Sequence, residues 1–158
     1  MVKPIGIQRI EKRLERFEGL IDMSDWASRP SAQKQTAFYA RALAAYCVRI
    51  LADTDDDAAG KSVTDSFHDR GIDAIYFDMR LSRLLLVQSK WGDCIAWKDA
   101  GEFVDGVKRL IEPDWASFSK NQKITARRRE IELALESSAR VLLITVHKGP
   151  SRADDHSL

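Results

Sequence analysis

The sequence predicts an α/β domain in which helices cover both faces of a mixed sheet with an antiparallel hairpin in its middle. Three observations carry that expectation. Apolar residues recur at helical spacing through the first 51 positions. Between residues 62 and 90 the period shortens, and β-branched, aromatic and aliphatic residues gather into short runs. After two more helical stretches the chain runs Val141-Leu142-Leu143-Ile144 without a polar residue.

In chain order, residues 5–21 read as a charged amphipathic helix. Ile7, Ile10, Leu14, Phe17 and Ile21 fall three or four apart, with Arg9, Lys12, Arg13 and Arg16 between them. Residues 22–30 connect it to a second helix, with Ser31 as N-cap and an end near Leu51; its many alanines permit close packing. The acidic stretch Asp53–Asp57 and then Gly60 terminate it. Strands are expected over Val63–Phe67, Ile72–Met79 and Arg83–Lys90, the last two joined as a hairpin around Arg80 and Leu81. A helix follows over Lys98–Ile111 and stops before Pro113. Another spans 121–137, with Ile124, Ile131 and Leu135 on one side. Arg140–Val146 is apolar enough to be a strand buried on both faces. Residues 1–30 thus form an N-terminal helical extension, 31–149 the main domain, and 150–158 a flexible tail.

Composition narrows the function classes. Of 158 residues, 44% are hydrophobic and 31% charged, which suits a globular chain that needs no disulfide or structural metal to fold. Lys and Arg number 25 against 24 Asp and Glu, so net charge neither demands nor forbids a polyanionic partner. No apolar run approaches membrane-spanning length, and residues 1–16 are charged throughout, so a cytoplasmic protein without membrane contact is expected. Cys47 and Cys94 lack CxxC spacing and read as reduced thiols. His68, His147 and His156 have no metal-ligand spacing. Gly60-Lys61-Ser62 resembles the end of a phosphate-binding loop, but the position that needs the first glycine is Asp55, and a helix precedes where a strand is required. A surface turn and no nucleotide cofactor are expected there. Ser62, Asp65 and His68 lie too close along one strand and turn to present a hydrolytic triad.

The hairpin is the informative segment. If its turn is centred between Arg80 and Leu81, paired residues have numbers summing to 161, so Asp78 faces Arg83 and Asp73 faces Gln88. Lys90, two residues beyond Gln88, lies on the same face, which continues as Ile75, Phe77, Leu84 and Leu86. The other face carries Ala74, Tyr76, Leu85 and Val87. A carboxylate, an amide and an ammonium at one end of a buried hairpin have two readings. One is an Asp73–Lys90 ion pair at the sheet's rim with Gln88 hydrogen-bonded beside it. The other is a hard-cation site, with oxygen ligands from Asp73, the Gln88 side chain and a nearby backbone carbonyl, suited to magnesium.

Asp73, a β-hairpin and then Gln88-Ser89-Lys90 resemble the PD-(D/E)XK nuclease signature, in the variant with glutamine at the acidic position. The string HDRGIDAIYFD followed by LLLVQSKW is similar to Mrr-type restriction endonucleases. It is closer still to the N-terminal nuclease-like region of the AIPR abortive phage infection proteins. The resemblance implies a restriction-endonuclease-like αβββαβ core and a magnesium-dependent endonuclease acting on DNA in restriction or phage defence, with manganese able to substitute. It implies Asp73, Gln88 and Lys90 as catalytic residues, and Asp73, Gln88 and the Ser89 backbone carbonyl as metal ligands. Such folds often take a further acid from the helix before the first strand; residues 34–51 contain none, which leaves Asp65 or Asp69 as the extra acid. The competing function is a non-catalytic nucleic-acid-binding or assembly module of the same fold, and self-association as a homodimer stays open. Lys98, Lys120, Lys123, Arg127, Arg128 and Arg129 are candidate phosphate contacts, set against a solvated helix face for the arginine run. Trp91 and Trp97 either wall the site and stack a base or pack at its rim.

Overall fold

The alternation along the hairpin decides which helices cover which face of the sheet. The computed structural model describes residues 2–150, so the end of the expected tail, 151–158, lies outside the described residues. Its sheet has three strands in the order β1 (Ala74–Asp78), β2 (Arg83–Lys90) and β3 (Arg140–His147). β1 and β2 are antiparallel, and their partners run from Asp78 opposite Arg83 to Ala74 opposite Val87, the register that the turn arithmetic requires. β3 joins β2 in parallel, with Arg83 beside Arg140 and Lys90 beside His147. The result is a mixed α/β fold.

Ala74, Val87 and Tyr76 point to the helix α2 (Ser31–Ala52), where Leu43, Ala44, Ala45 and Val48 meet them. The alanines have the predicted use: Ala42, Ala44 and Ala45 are fully buried, and their short side chains let the helix lie close on the strands. Ile75, Leu84 and Leu86 face the other way, into Phe103, Val107 and Leu110 of α4 (Trp97–Ile111) and Ile131 and Ala134 of α6 (Arg128–Glu136). Among the described residues, no helix is long and apolar enough to cross a membrane.

Several expectations are corrected. The helix expected over 5–21 is α1 (Ile5–Leu14) followed by a 3-10 turn at Glu15–Phe17, and the chain then reverses at Gly19, whose φ of 74° favours glycine. Leu14, Phe17 and Ile21 enter the same core as α2. Ser31 is not the cap of α2: Pro30 holds that position, and no side chain bonds the free N–H groups there.

Asp55 instead caps a helix that periodicity missed, α3 (Asp56–Lys61), by accepting the Ala58 N–H. Gly60 is therefore no surface turn. It is buried in α3, and a Cβ there would lie 2.8 Å from the Leu20 carbonyl oxygen. Val63–Phe67 forms no strand but a single bridge from Val63 to Ala74, because the next two N–H groups, on Thr64 and Asp65, both turn to the Asp73 carbonyl. The helix expected over 121–137 is split into α5 (Gln122–Thr125) and α6. The break lets Arg127 bond the Lys61 carbonyl and pair with Glu130, whose other oxygen accepts the Phe77 N–H at the open side of β1. β3 is not buried on both faces. It is the last strand of the sheet among the described residues, and Leu143 is 48% exposed.

Candidate metal centre

The loop between α3 and β1 brings three carboxylates together. Thr64 and Asp65 donate their N–H groups to the Asp73 carbonyl at 2.8 and 3.2 Å, which closes the loop at its base. Inside it, the Asp69 carboxylate accepts the N–H groups of Gly71 at 2.8 Å and Ser66 at 3.3 Å. His68, Arg70 and Gly71 all have positive φ, so the chain coils tightly. Only glycine suits the third position, where φ is 77° and a Cβ would press on the Phe103 backbone at 3.0 Å. The Asn121 amide clamps the outside by donating to the Phe67 carbonyl. As a result, carboxylate oxygens of Asp65, Asp69 and Asp73 all lie within 4.8 Å of one another.

Bringing them together perturbs the acids. Burial, then the charges of Asp65 and Asp69, raises the Asp73 pKa well above the usual carboxylate range; the Ser89 N–H and the Lys90 charge oppose the rise. Burial, then the Asp65 charge, pushes Asp69 up to about 7. Asp65 has a counter-ion: Arg41 of α2 donates its Nε to the carboxylate at 2.8 Å. The same guanidinium grips Asp25 through two bonds of 2.8 and 2.7 Å and reaches the Asp22 carbonyl. Arg41 is 1% exposed. The helix before the strands thus supplies a cation to this cluster, and all three carboxylates come from the loop and its end at β1. Sequence reasoning missed Arg41 and Asp25. The available signal was one arginine inside the alanine-rich face of α2.

The predicted signature residues are only partly brought together. Asp73 lies just before β1, where its N–H donates to the Val87 carbonyl instead of extending the ladder squarely to Gln88. Its carboxylate accepts the Ser89 N–H at 2.7 Å. Gln88 is buried, with its Nε2 donating to the Asp99 carbonyl of α4 at 2.7 Å and its Oε1 left without a hydrogen-bond partner. Of the two readings of this end of the hairpin, the Asp73–Lys90 ion pair does not form: Lys90 Nζ pairs with the Asp99 carboxylate at 3.4 Å. Lys90 still lines the cavity of about 530 Å³ into which Asp65 and Asp73 open. The Ser89 hydroxyl donates to the Ala40 carbonyl and ties β2 to α2.

The expected phosphate contacts are dispersed. Lys98 and Lys120 are exposed, whereas Lys123 is half-buried and donates to the Asp65 carbonyl. Arg127 pairs with Glu130, and Arg128 pairs with Glu132 while lying 5.1 Å above the Trp115 ring. Arg129 is exposed. The arginine run therefore does not make one uniform cationic face. Trp97 is 94% exposed, and Trp91 stacks on Tyr39.

The residues present fit a hard divalent cation. Three carboxylates supply the oxygen donors that magnesium or manganese takes, their mutual repulsion is what a cation would relieve, and the buried Gln88 Oε1 is an acceptor with nothing bound to it. Compared with family models, curated proteins and solved structures, the chain matches none of them.

Proposed function

We propose that the chain hydrolyses DNA phosphodiester bonds with a divalent cation, magnesium or manganese, held by Asp65, Asp69 and Asp73. The observation that carries this reading is the convergence of the three carboxylates, two of which, Asp65 and Asp73, line a cavity that Lys90 also lines. It agrees with the resemblance of the hairpin to PD-(D/E)XK nucleases in restriction and phage defence. When bound, the cation supplies Lewis acidity toward a phosphoryl oxygen and lowers the pKa of the attacking water.

The chain's own residues do the rest. Asp73, fixed by the Ser89 N–H, and Asp69, fixed by its two loop N–H groups, hold the cation with oxygen donors already in place. Arg41 pairs with Asp65 and orients its carboxylate. Lys90 leaves Asp99 to meet the negative charge that grows on the phosphate in the transition state. Gln88, its amide nitrogen committed to α4, braces the end of β2. A non-catalytic DNA-binding module is the second reading, and the Lys90–Asp99 pair is the observation that favours it.

Nicking or linearisation of plasmid DNA, with magnesium, manganese or a chelator, tests the proposal. Wild type should cleave only with the cation. Asp73→Ala should lose cleavage and cation binding together. Lys90→Ala should lose about a hundredfold or more in rate while still binding the cation. Cleavage that persists equally in both variants sinks the nuclease reading. DNA binding without any cleavage by wild type moves it to the binding module.

A further inference from the structure

The cavity beside the acidic trio has walls that neither the cation nor a phosphate uses. It lies between the first turns of α2 and the end of β2, and its volume of about 530 Å³ falls within the roughly 300–1,000 Å³ of small-molecule sites. Trp26 and Trp91 contribute to its lining, together with Ala37 and Ala40 of α2. Those alanines leave open a space that longer side chains would fill. Trp91 is a braced wall, since its indole stacks on Tyr39 with centroids 4.8 Å apart and planes 28° apart. The polar groups are few and uncharged on the α2 side, the Gln33 amide and the Thr36 hydroxyl, whereas Asp65 and Asp73 stand on the other side.

That distribution selects the ligand's chemistry. Asp65 and Asp73 repel a phosphate unless a cation lies on them, so the anionic part of a nucleotide belongs beside that cation and Lys90, and the rest of the cavity is left to an uncharged group. A flat, uncharged heterocycle suits the indoles and the alanine face, with Gln33 able to pair with a base edge.

We propose that the cavity takes one unstacked nucleobase of the strand being cut, so that the preferred substrate is single-stranded or locally opened DNA. A base within a duplex is covered above and below and cannot enter a pocket walled by a helix and a strand without leaving the stack. The inference rests on the phosphodiesterase reading for the position of the phosphate, but base capture can be measured without cleavage.

The probe is a short single-stranded oligodeoxynucleotide with a central 2-aminopurine, titrated into the full chain in chelator and again in calcium, with 2-aminopurine and tryptophan fluorescence read together. The expected result is a saturable change in both signals and binding about tenfold or more tighter than to the same sequence as a duplex. Trp26→Ala should weaken binding roughly five- to a hundredfold, the range for loss of one stacking partner. Ala37→Leu, which fills the cavity, should remove the 2-aminopurine response. An oligonucleotide abasic at that position should bind wild type no better than the intact one binds Trp26→Ala. Equal binding of abasic and intact strands, or an unchanged 2-aminopurine response in both variants, overturns the proposal. Base capture in chelator without cation-dependent cleavage would uphold the pocket and sink the nuclease. Cation-dependent cleavage of duplex as fast as single strand, with no 2-aminopurine response, would do the reverse.

Discussion

Replacing Arg41 with methionine should destabilise the fold while strengthening cation binding. Methionine keeps the apolar stem of the side chain and removes the guanidinium that pairs with Asp25 at 2.7 Å and Asp65 at 2.8 Å. Breaking a buried ion pair by deleting one partner costs roughly 3–5 kcal/mol, because the remaining charge stays desolvated. Here the two carboxylates are 21% and 29% exposed and regain some water, so the low end, about 3 kcal/mol, is expected. For a chain of 158 residues that corresponds to a fall in Tm of about 6–12 °C. The second consequence has the opposite sign. Without Arg41 the trio loses its nearest counter-ion, so magnesium should bind more tightly at pH 8 and recover part of the lost Tm. Thermal melts of wild type and variant, with chelator and with millimolar magnesium, measure both effects. A loss under about 1 kcal/mol, or a variant that gains no more Tm from magnesium than wild type does, would refute the view that Arg41 neutralises the cluster.

Stability without metal should depend on pH through the same acids. Asp69 and Asp73 have raised pKa values in the folded protein, so it holds protons that the unfolded chain releases above about pH 4. The contribution is complete below that pH; the Asp69 part is lost as pH rises through about 7, and the Asp73 part as pH rises through its own raised pKa. Urea melts in chelator should therefore show less stability at pH 8 than at pH 5.5, with a smaller difference in Asp69→Asn; an unchanged difference would contradict the assignment. Two glycines of α4 should respond in opposite ways. A methyl group at Gly106 would overlap the Arg70 carbonyl, so Gly106→Ala should cost about 1–3 kcal/mol and speed amide exchange at Gly71. A methyl group at Gly101 meets nothing within 4 Å, so Gly101→Ala should raise stability by about 0.5–1 kcal/mol in the same melts.

The hairpin was legible because its register follows from one turn and a period of two, and Ala74–Asp78 pairs with Arg83–Val87 as the arithmetic requires. The helix over Trp97–Ile111 was legible from its apolar spacing and Pro113. The loop was not. Val63–Phe67 has strand-like composition, but hydrogen bonds to Asp73 from residues eight and nine positions earlier bend it away, and periodicity carries no trace of such bonds. Asp65 or Asp69 was offered as a substitute for the helix acid that the resemblance implies and residues 34–51 lack, and the structure brings both of them to Asp73. Arg41 was passed over, despite its place among the alanines of α2, because an arginine on a helix is ordinarily solvated. The open side of β3 was misread because an apolar run fixes hydrophobicity without saying whether a neighbour covers it.

The parallel pairing of β2 with β3 has a kinetic consequence. Arg83 meets Arg140 across 57 positions of chain, and such a contact must wait for the intervening helices. The trio is local by comparison: Asp65 and Asp73 are eight residues apart, and Ser89 is sixteen beyond Asp73. By that argument the acids should meet while the hairpin forms, before the sheet is complete, and β3 should dock last. A substitution in β3 would lengthen the time that the edge of β2 stays bare, and with it the exposure to aggregation, while leaving the meeting of the three carboxylates unchanged.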